Sequence, residues 1–122
     1  MFTIAKRFHF AASHTLNGLP DTHPCSRLHG HNYQVELVLG AQRLDATGFV
    51  VDYHLLSPFA DYLKDHLDHR HLNDVLSVQP SAELIAQTLY DWCYARMPAS
   101  VSRYMLAVRV SETPNTWAEY RP

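Results

Sequence analysis

Apolar residues near the N-terminus alternate with other residues, which is the pattern of a strand with one buried face. The alternating positions are Phe2, Ile4, Phe8, Phe10 and Ala12. One further step in the same parity reaches His14. The sequence therefore predicts a first strand whose apolar face ends on a histidine.

A second alternating segment follows an irregular stretch. Its apolar positions, which stop at Gly40, are Tyr33, Val35, Leu37 and Leu39. Run backwards, the same parity reaches His31 and His29. Since residues two apart on a strand share one face, we expect both imidazoles on the same side of the sheet.

Two segments with apolar residues three or four positions apart predict helices. The first begins at Ser57 and Pro58, a capping hydroxyl followed by proline at the first helical position, and ends near Asp68. The second begins at Ser81, carries Glu83 in its first turn, and is closed by proline at position 98.

The last part of the chain returns to period-two alternation. Alternate residues from Tyr104 to Val110 predict a third strand, and the same parity reaches Glu112. A turn at residues 113–116 separates it from a short last strand around residues 117–120.

This order of elements, ββααββ, predicts an α+β fold with an antiparallel four-stranded sheet and two helices on one face. A length of 122 residues fits a single domain covering residues 1–122. Because four strands leave two unpaired edges, we expect the chain to form a homo-oligomer.

Charge and composition exclude several classes of protein. Ten Lys and Arg residues against twelve Asp and Glu residues, with no basic run, give none of the positive surface that nucleic-acid binding needs. We find no signal-peptide core and no apolar run of the roughly 20 residues that a membrane helix needs, so we expect a cytoplasmic protein without a membrane partner. Cys25 and Cys93 are too few for a disulfide scaffold.

The nine histidines include three at the ends of predicted apolar strand faces, His14, His29 and His31, which we call the histidine trio. The trio can converge if the first two strands are antiparallel. Three imidazoles with an open fourth position form a catalytic zinc site. The alternative is an incidental His-x-His pair beside a histidine that fills a strand end, and spacing alone leaves both interpretations open.

Three further residues carry candidate proton chemistry. Cys25 precedes the second strand, and a thiol beside a bound cation can act as a base, although an isolated cysteine is more often a small buried side chain. Asp68 is followed by His69, so the acid either orients the ring or belongs to a solvated helix end.

Glu112 continues the apolar parity of the third strand. A buried carboxylate must be paired, neutralised or awaiting a ligand, and it can accept two parallel hydrogen bonds from the amidine-like edge of a heterocycle. The alternative is that the strand ends one residue earlier and the side chain lies in water.

Six ordered motifs across nearly the whole chain resemble the 6-pyruvoyltetrahydropterin synthase family. They are FHFAASH, CSRLHGHNY, GFVVDY, LDHRHLND, PSAE and VSET. More narrowly, the three residues between Cys25 and His29 are similar to the 6-carboxy-5,6,7,8-tetrahydropterin synthase branch, of the queuosine and 7-deazapurine pathway.

Carried over residue by residue, the resemblance implies that the histidine trio binds Zn²⁺. It implies a catalytic cysteine at Cys25 that works with Asp68 and His69. It also implies that Glu112 anchors a pterin ring.

The segment before the second helix departs from the family pattern. Many relatives are Thr-rich there and carry Glu-Asn, whereas this chain has Ser81 and Glu83 followed by Leu84. Ser81 and Glu83 are therefore expected to contact the pterin, and the asparagine contact is absent.

The resemblance further implies the tunnelling fold (T-fold), in which trimers close a β-barrel and often stack into hexamers with active sites between subunits. The implied activity is that of a zinc-dependent lyase that converts 7,8-dihydroneopterin triphosphate to 6-carboxytetrahydropterin, with loss of acetaldehyde and triphosphate. Three alternatives remain: a relative that forms a pyruvoyl or hydroxymethyl pterin, a pterin- or zinc-binding module without turnover, and a structural zinc domain.

Overall fold

The computed structural model describes residues 1–122 and contains one five-stranded sheet. The strands are β1 (Phe2–His14), β2 (His29–Ala41), β3 (Arg70–His71), β4 (Met105–Ser111) and β5 (Ala118–Tyr120), in the spatial order β3-β1-β2-β4-β5. The helices are α1 (Ser57–His66), α2 (Leu72–Val75), α3 (Ala82–Arg96) and α4 (Ala99–Ser102), with 3-10 turns at Pro24–Ser26 and Tyr53–Leu56. None of the helices combines the length and the apolar character that crossing a bilayer demands.

The pairing of β1 with β2 is antiparallel over the full length of both strands. Its register places His14 opposite His29 at one end of the sheet and Phe2 opposite Ala41 at the other. β4 pairs antiparallel with β2, and Gln34 lies opposite Ser111. The end of β1, the start of β2 and the end of β4 therefore meet at one end of the sheet.

The prediction of a four-stranded, wholly antiparallel sheet was wrong. β3 is a fifth strand and runs parallel to β1, with Arg70 opposite Ala12 and His71 opposite Ser13. A strand of two residues has no alternation to detect, and β3 begins directly after His69. That residue has a φ of 59°, in the left-handed region that non-glycine residues seldom adopt.

One of the two predicted helix starts was wrong in detail. Ser57 is the first residue of α1, and its hydroxyl does not cap the start of the helix. The 3-10 turn Tyr53–Leu56 leads directly into α1, so that Leu56 holds the N-cap position. The start of α3 is confirmed, since the Ser81 hydroxyl accepts a hydrogen bond from the Leu84 N–H at 3.2 Å. α1 ends at His66, two residues before the predicted Asp68.

The core lies between one face of the sheet and the helices. The buried members of the predicted strand and helix patterns include Val35, Leu37, Leu39, Val108, Val110, Phe59, Leu63, Ile85 and Leu89. Arg7 and His9 have the opposite parity on β1 and are exposed, so the helices cover one face of the sheet. Cys93 lies in this core, where burial raises the pKa of its thiol.

Candidate metal centre and adjoining cavities

The antiparallel register of β1 and β2 brings the histidine trio together. One ring nitrogen from each of His14, His29 and His31 lies within 4.8 Å of the others. His14 is completely buried, and His29 and His31 are partly buried. The arrangement is set by strand parity, since His14 faces His29 across the ladder and His31 lies two residues further along β2.

Backbone carbonyls fix the orientation of two of these rings. The Nδ1–H of His14 donates to the Pro80 carbonyl at 2.7 Å, and the Nδ1–H of His29 donates to the Arg27 carbonyl at 2.7 Å. Because a carbonyl only accepts, each neutral ring carries its proton on Nδ1 and a lone pair on Nε2. The two Nε2 atoms lie 2.8 Å apart. The two lone pairs therefore point toward one position, which a metal ion can occupy.

The third ring has an unpartnered nitrogen. The Nε2 of His31 is buried without a hydrogen bond, and Glu112 Oε2 lies 3.6 Å from it. An unsatisfied buried polar group costs about 1–3 kcal/mol. Burial lowers the pKa of His31 below 6.5, the imidazoles of His14 and His29 lower it further, and Glu112 opposes both effects. The lowered pKa favours the neutral ring of His31, which is the form that binds a metal. This donor set fits Zn²⁺.

Tyr33 contacts His14 of the trio, a role that the sequence reasoning missed because it treated Tyr33 only as an apolar strand position. Its fully buried hydroxyl lies 3.2 Å from Nδ1 of His14, and its ring stacks on Phe10 with centroids 4.7 Å apart. Burial raises the pKa of Tyr33, and the charge of Glu112 adds to this effect. Its place in the same apolar parity as His31 is the signal that would have found it.

Asp68 and His69 form a pair at the edge of β1. Asp68 Oδ2 accepts from Nδ1 of His69 at 3.0 Å, and Oδ1 accepts from the Ala11 N–H at 2.8 Å. These hydrogen bonds, the one from Ala11 foremost, lower the pKa of the Asp68 carboxyl. The two side chains are adjacent in sequence, and they meet where His69 has a left-handed backbone. Asp68 thus holds the His69 ring, which is itself largely exposed.

His69 and one member of the trio, His31, share a surface cavity of about 450 Å³, which we call the edge cavity. It is lined by Ala11, Ala12, Ser13, Gly30, His31, Asn32, His69, Arg70 and His71. His31 therefore faces the same space as the ring that Asp68 orients.

A second cavity of about 440 Å³, the glutamate cavity, contains all three residues predicted to bind the pterin. Ser81, Glu83 and Glu112 line it together with Leu16, Ala82, Val110, Thr116, Trp117, Ala118 and Glu119. The side chain of Glu112 is 23% exposed, so it lies between the buried and the solvated alternatives. Its contact with His31 places this cavity directly beside the trio.

Cys25 lines neither cavity. It is partly buried in the 3-10 turn Pro24–Ser26, where its N–H donates to Nδ1 of His23 at 3.1 Å. Its carbonyl accepts from the N–H of Leu16 at 3.0 Å, and Leu16 lines the glutamate cavity. The structure thus places His31 and His69 on the edge cavity and Ser81, Glu83 and Glu112 on the glutamate cavity. His14, His29 and Asp68 line neither cavity but contact residues that do, and Cys25 contacts one lining residue of the glutamate cavity.

Comparison with known proteins identifies the family to which this chain is similar. A family model described as 6-pyruvoyl tetrahydropterin synthase matches residues 3–122. A 6-carboxy-5,6,7,8-tetrahydropterin synthase of Synechocystis is 35% identical over 126 aligned positions, covering 98% of this chain and 93% of the relative. The Bacillus subtilis protein of the same name is 31% identical over 126 positions, covering 99% of this chain and 86% of the relative.

Solved structures agree on the fold. The 6-pyruvoyl tetrahydropterin synthase of Caenorhabditis elegans superimposes with a TM-score of 0.86 at 23% identity, covering 99% of this chain and 95% of that one. The corresponding Plasmodium falciparum protein gives a TM-score of 0.70 at 22% identity, covering 98% of both chains. The T-fold expected for the single chain is confirmed.

Proposed function

The chain belongs to the 6-pyruvoyl tetrahydropterin synthase family, and we propose that it is a 6-carboxy-5,6,7,8-tetrahydropterin synthase. Its substrates are 7,8-dihydroneopterin triphosphate and one water molecule, and its products are 6-carboxytetrahydropterin, acetaldehyde and triphosphate. The single observation that carries this proposal is the unpartnered Nε2 of His31, buried 3.6 Å from the Glu112 carboxylate. His31 offers a metal-binding nitrogen, and Glu112 beside it offers a carboxylate that can bind a heterocycle. This arrangement suits a substrate whose pterin ring and side chain are recognised by different groups.

The histidine trio is the proposed Zn²⁺ site. Three neutral imidazoles are the ligand set of a catalytic zinc and leave a coordination position open to substrate. When bound, the metal supplies Lewis-acid polarisation to oxygen atoms of the substrate's side chain. The Pro80 and Arg27 carbonyls keep the His14 and His29 rings aimed at this position, so the chain pre-organises the site.

Glu112 is the proposed anchor of the pterin ring. Its carboxylate lies in the glutamate cavity and can accept two parallel N–H bonds from the ring's amidine-like edge. Ser81 and Glu83 supply further polar groups in the same cavity, although the Ser81 hydroxyl already accepts the capping bond from Leu84. Holding the ring here orients its three-carbon tail toward the trio, which supplies proximity.

Proton transfer is assigned to Cys25 and His69. Cys25 is the proposed base that removes a proton from the substrate's tail. His69 shares the edge cavity with His31, and the bond from its Nδ1 to Asp68 leaves Nε2 free to accept or return a proton. Asp68 is itself fixed by the Ala11 N–H, so the His69 ring is tied to the strand that carries His14.

The open sheet edges support the proposal that the chain self-associates as a trimer or hexamer. β3 covers only Ala12 and Ser13 of the thirteen residues of β1 on its outer side. At the other edge, β5 has three residues. Unpaired strand edges are sites for pairing with another chain, and closing a barrel removes them.

The test is an assay of the zinc-loaded protein with 7,8-dihydroneopterin triphosphate, with products identified by mass spectrometry. We expect 6-carboxytetrahydropterin and acetaldehyde in equal amounts, and no product after chelation of the metal. A pyruvoyl or hydroxymethyl pterin as the product would assign the chain to another activity of the same family. Binding of the pterin without turnover would reduce the chain to a binding module.

A further inference from the structure

A side-chain amide continues the pairing of β1 beyond the point where β3 ends. The backbone pairing stops at Ser13 and His71. Two residues beyond the end of this pairing in each segment, the Thr15 N–H donates to Oδ1 of Asn73 at 2.9 Å. Nδ2 of Asn73 donates to the Thr15 carbonyl, also at 2.9 Å. Asn73 therefore satisfies both backbone groups of Thr15, as a strand residue would.

The segment fixed in this way is the one that contacts Cys25. Leu16, the next residue after Thr15, donates its N–H to the Cys25 carbonyl at 3.0 Å. The turn that carries Cys25 has only three residues and lies outside the sheet, so it has no ladder of its own to fix it. Thr15 also directly follows His14 of the trio, so the amide holds the link between that ligand and the Cys25 turn.

We propose that Asn73 is a positioning residue for Cys25. Both of its side-chain hydrogen bonds go to the backbone of Thr15, and it acts through Thr15 and Leu16 to hold the Cys25 turn against the end of β1. The amide is used as donor and acceptor at once, a pair of roles that a carboxylate or an alkyl group does not supply. This inference rests on the proposed function in one respect, that Cys25 acts on the substrate.

The first measurement compares Asn73→Ala with the control Asp74→Ala, which alters the next, exposed residue of α2. Because small misplacements of a reacting group cost one to two orders of magnitude in rate, we expect kcat of Asn73→Ala to fall by roughly tenfold or more. KM and the zinc content should change little, the variant should remain folded at the assay temperature, and Asp74→Ala should match the wild type. A loss of zinc or of folding in parallel with kcat would overturn the proposal.

The second measurement does not depend on turnover. Cys93 is completely buried, so iodoacetamide added to the native protein reports on Cys25. In Asn73→Ala the alkylation rate should move severalfold toward the rate of the urea-unfolded chain, and in Asp74→Ala it should not. An unchanged rate overturns the proposal whatever happens to kcat, and an unchanged kcat overturns the catalytic relevance of the positioning.

Two safeguards keep the tests distinct. If Asn73→Ala does not fold, Asn73→Asp, which keeps the acceptor for the Thr15 N–H and loses the donor, undergoes the same measurements with the same expected direction. If the wild type fails to convert the pterin triphosphate, the proposed function fails, while the alkylation rates still decide whether Asn73 positions Cys25.

Discussion

The Nε2 atoms of His14 and His29 face each other at 2.8 Å, although the opposite nitrogen of each ring donates to a backbone carbonyl. Neither ring can turn its Nε2 away without breaking a bond at Nδ1. The protein therefore holds these lone pairs together by its own hydrogen bonds, which is how second-sphere groups prepare a metal site.

Removing the metal should abolish turnover before it affects the fold. The core between the sheet and the helices contains 25 buried residues and does not depend on the trio. We expect a chelator to eliminate activity while the circular dichroism spectrum stays native, with only the modest loss in melting temperature that loss of a bound ligand produces. Zinc should restore activity. Unfolding at the same chelator concentration that removes activity would instead indicate a structural zinc domain.

The two cysteines should separate chemistry from packing. Cys25→Ala should lose nearly all turnover and keep its zinc and melting temperature, since the side chain is outside the core. Cys93→Ala should keep turnover and lose about 1 kcal/mol of stability, because it removes buried volume on α3. Steady-state kinetics and urea unfolding of both variants test this, and wild-type turnover in Cys25→Ala would contradict the assignment of the base.

Glu112→Gln should weaken pterin binding without affecting the metal. An amide offers one acceptor and one donor, so it loses one of the two charge-assisted bonds, worth roughly 1.5–3 kcal/mol or about tenfold or more in affinity. Titration of a pterin followed by fluorescence, with zinc content measured in parallel, checks both effects. The matched control is Glu119→Gln, which lines the same cavity but pairs with Arg109 and Arg121. Equal losses in both variants would argue against Glu112 as the specific anchor.

Asp68 should make the free energy of unfolding depend on pH in the acidic range. Its pKa is held below the ordinary value of 3.8 by the bonds from Ala11 and His69. A depressed pKa contributes stability that is present above about pH 4 and is lost as the pH falls through the folded value. Urea unfolding across this range should show the dependence in the wild type and a weaker one in Asp68→Asn. The surface variant Asp65→Asn is the control, and an identical pH profile in all three proteins would contradict the role of these bonds.

Much of the site was predictable because it lies on long strands. Period-two alternation located β1 and β2, and extending that parity by one or two steps reached all three histidines. The same parity reached Glu112, which lies one residue beyond the end of β4, and the structure adds its contact with His31 at 3.6 Å. Where alternation extends over about a dozen residues, the sequence alone predicts on which face of the sheet a side chain lies.

The features that escaped prediction are short or non-local. β3 has two residues, and its pairing with β1 depends on a left-handed residue that no periodicity reports. The bonds from Asn73 to Thr15 join residues 58 positions apart through a side chain, so no local pattern encodes them. Ser57 failed as a cap because a preceding 3-10 turn had already taken its place.

The left-handed conformation of His69 gives folding stability and the proposed proton transfer opposite requirements at this position. A non-glycine residue pays roughly 1–2 kcal/mol for that backbone geometry, and glycine does not. Selection of variants for thermal stability alone would therefore favour His69→Gly. Selection for enzymatic activity would favour retention of the histidine.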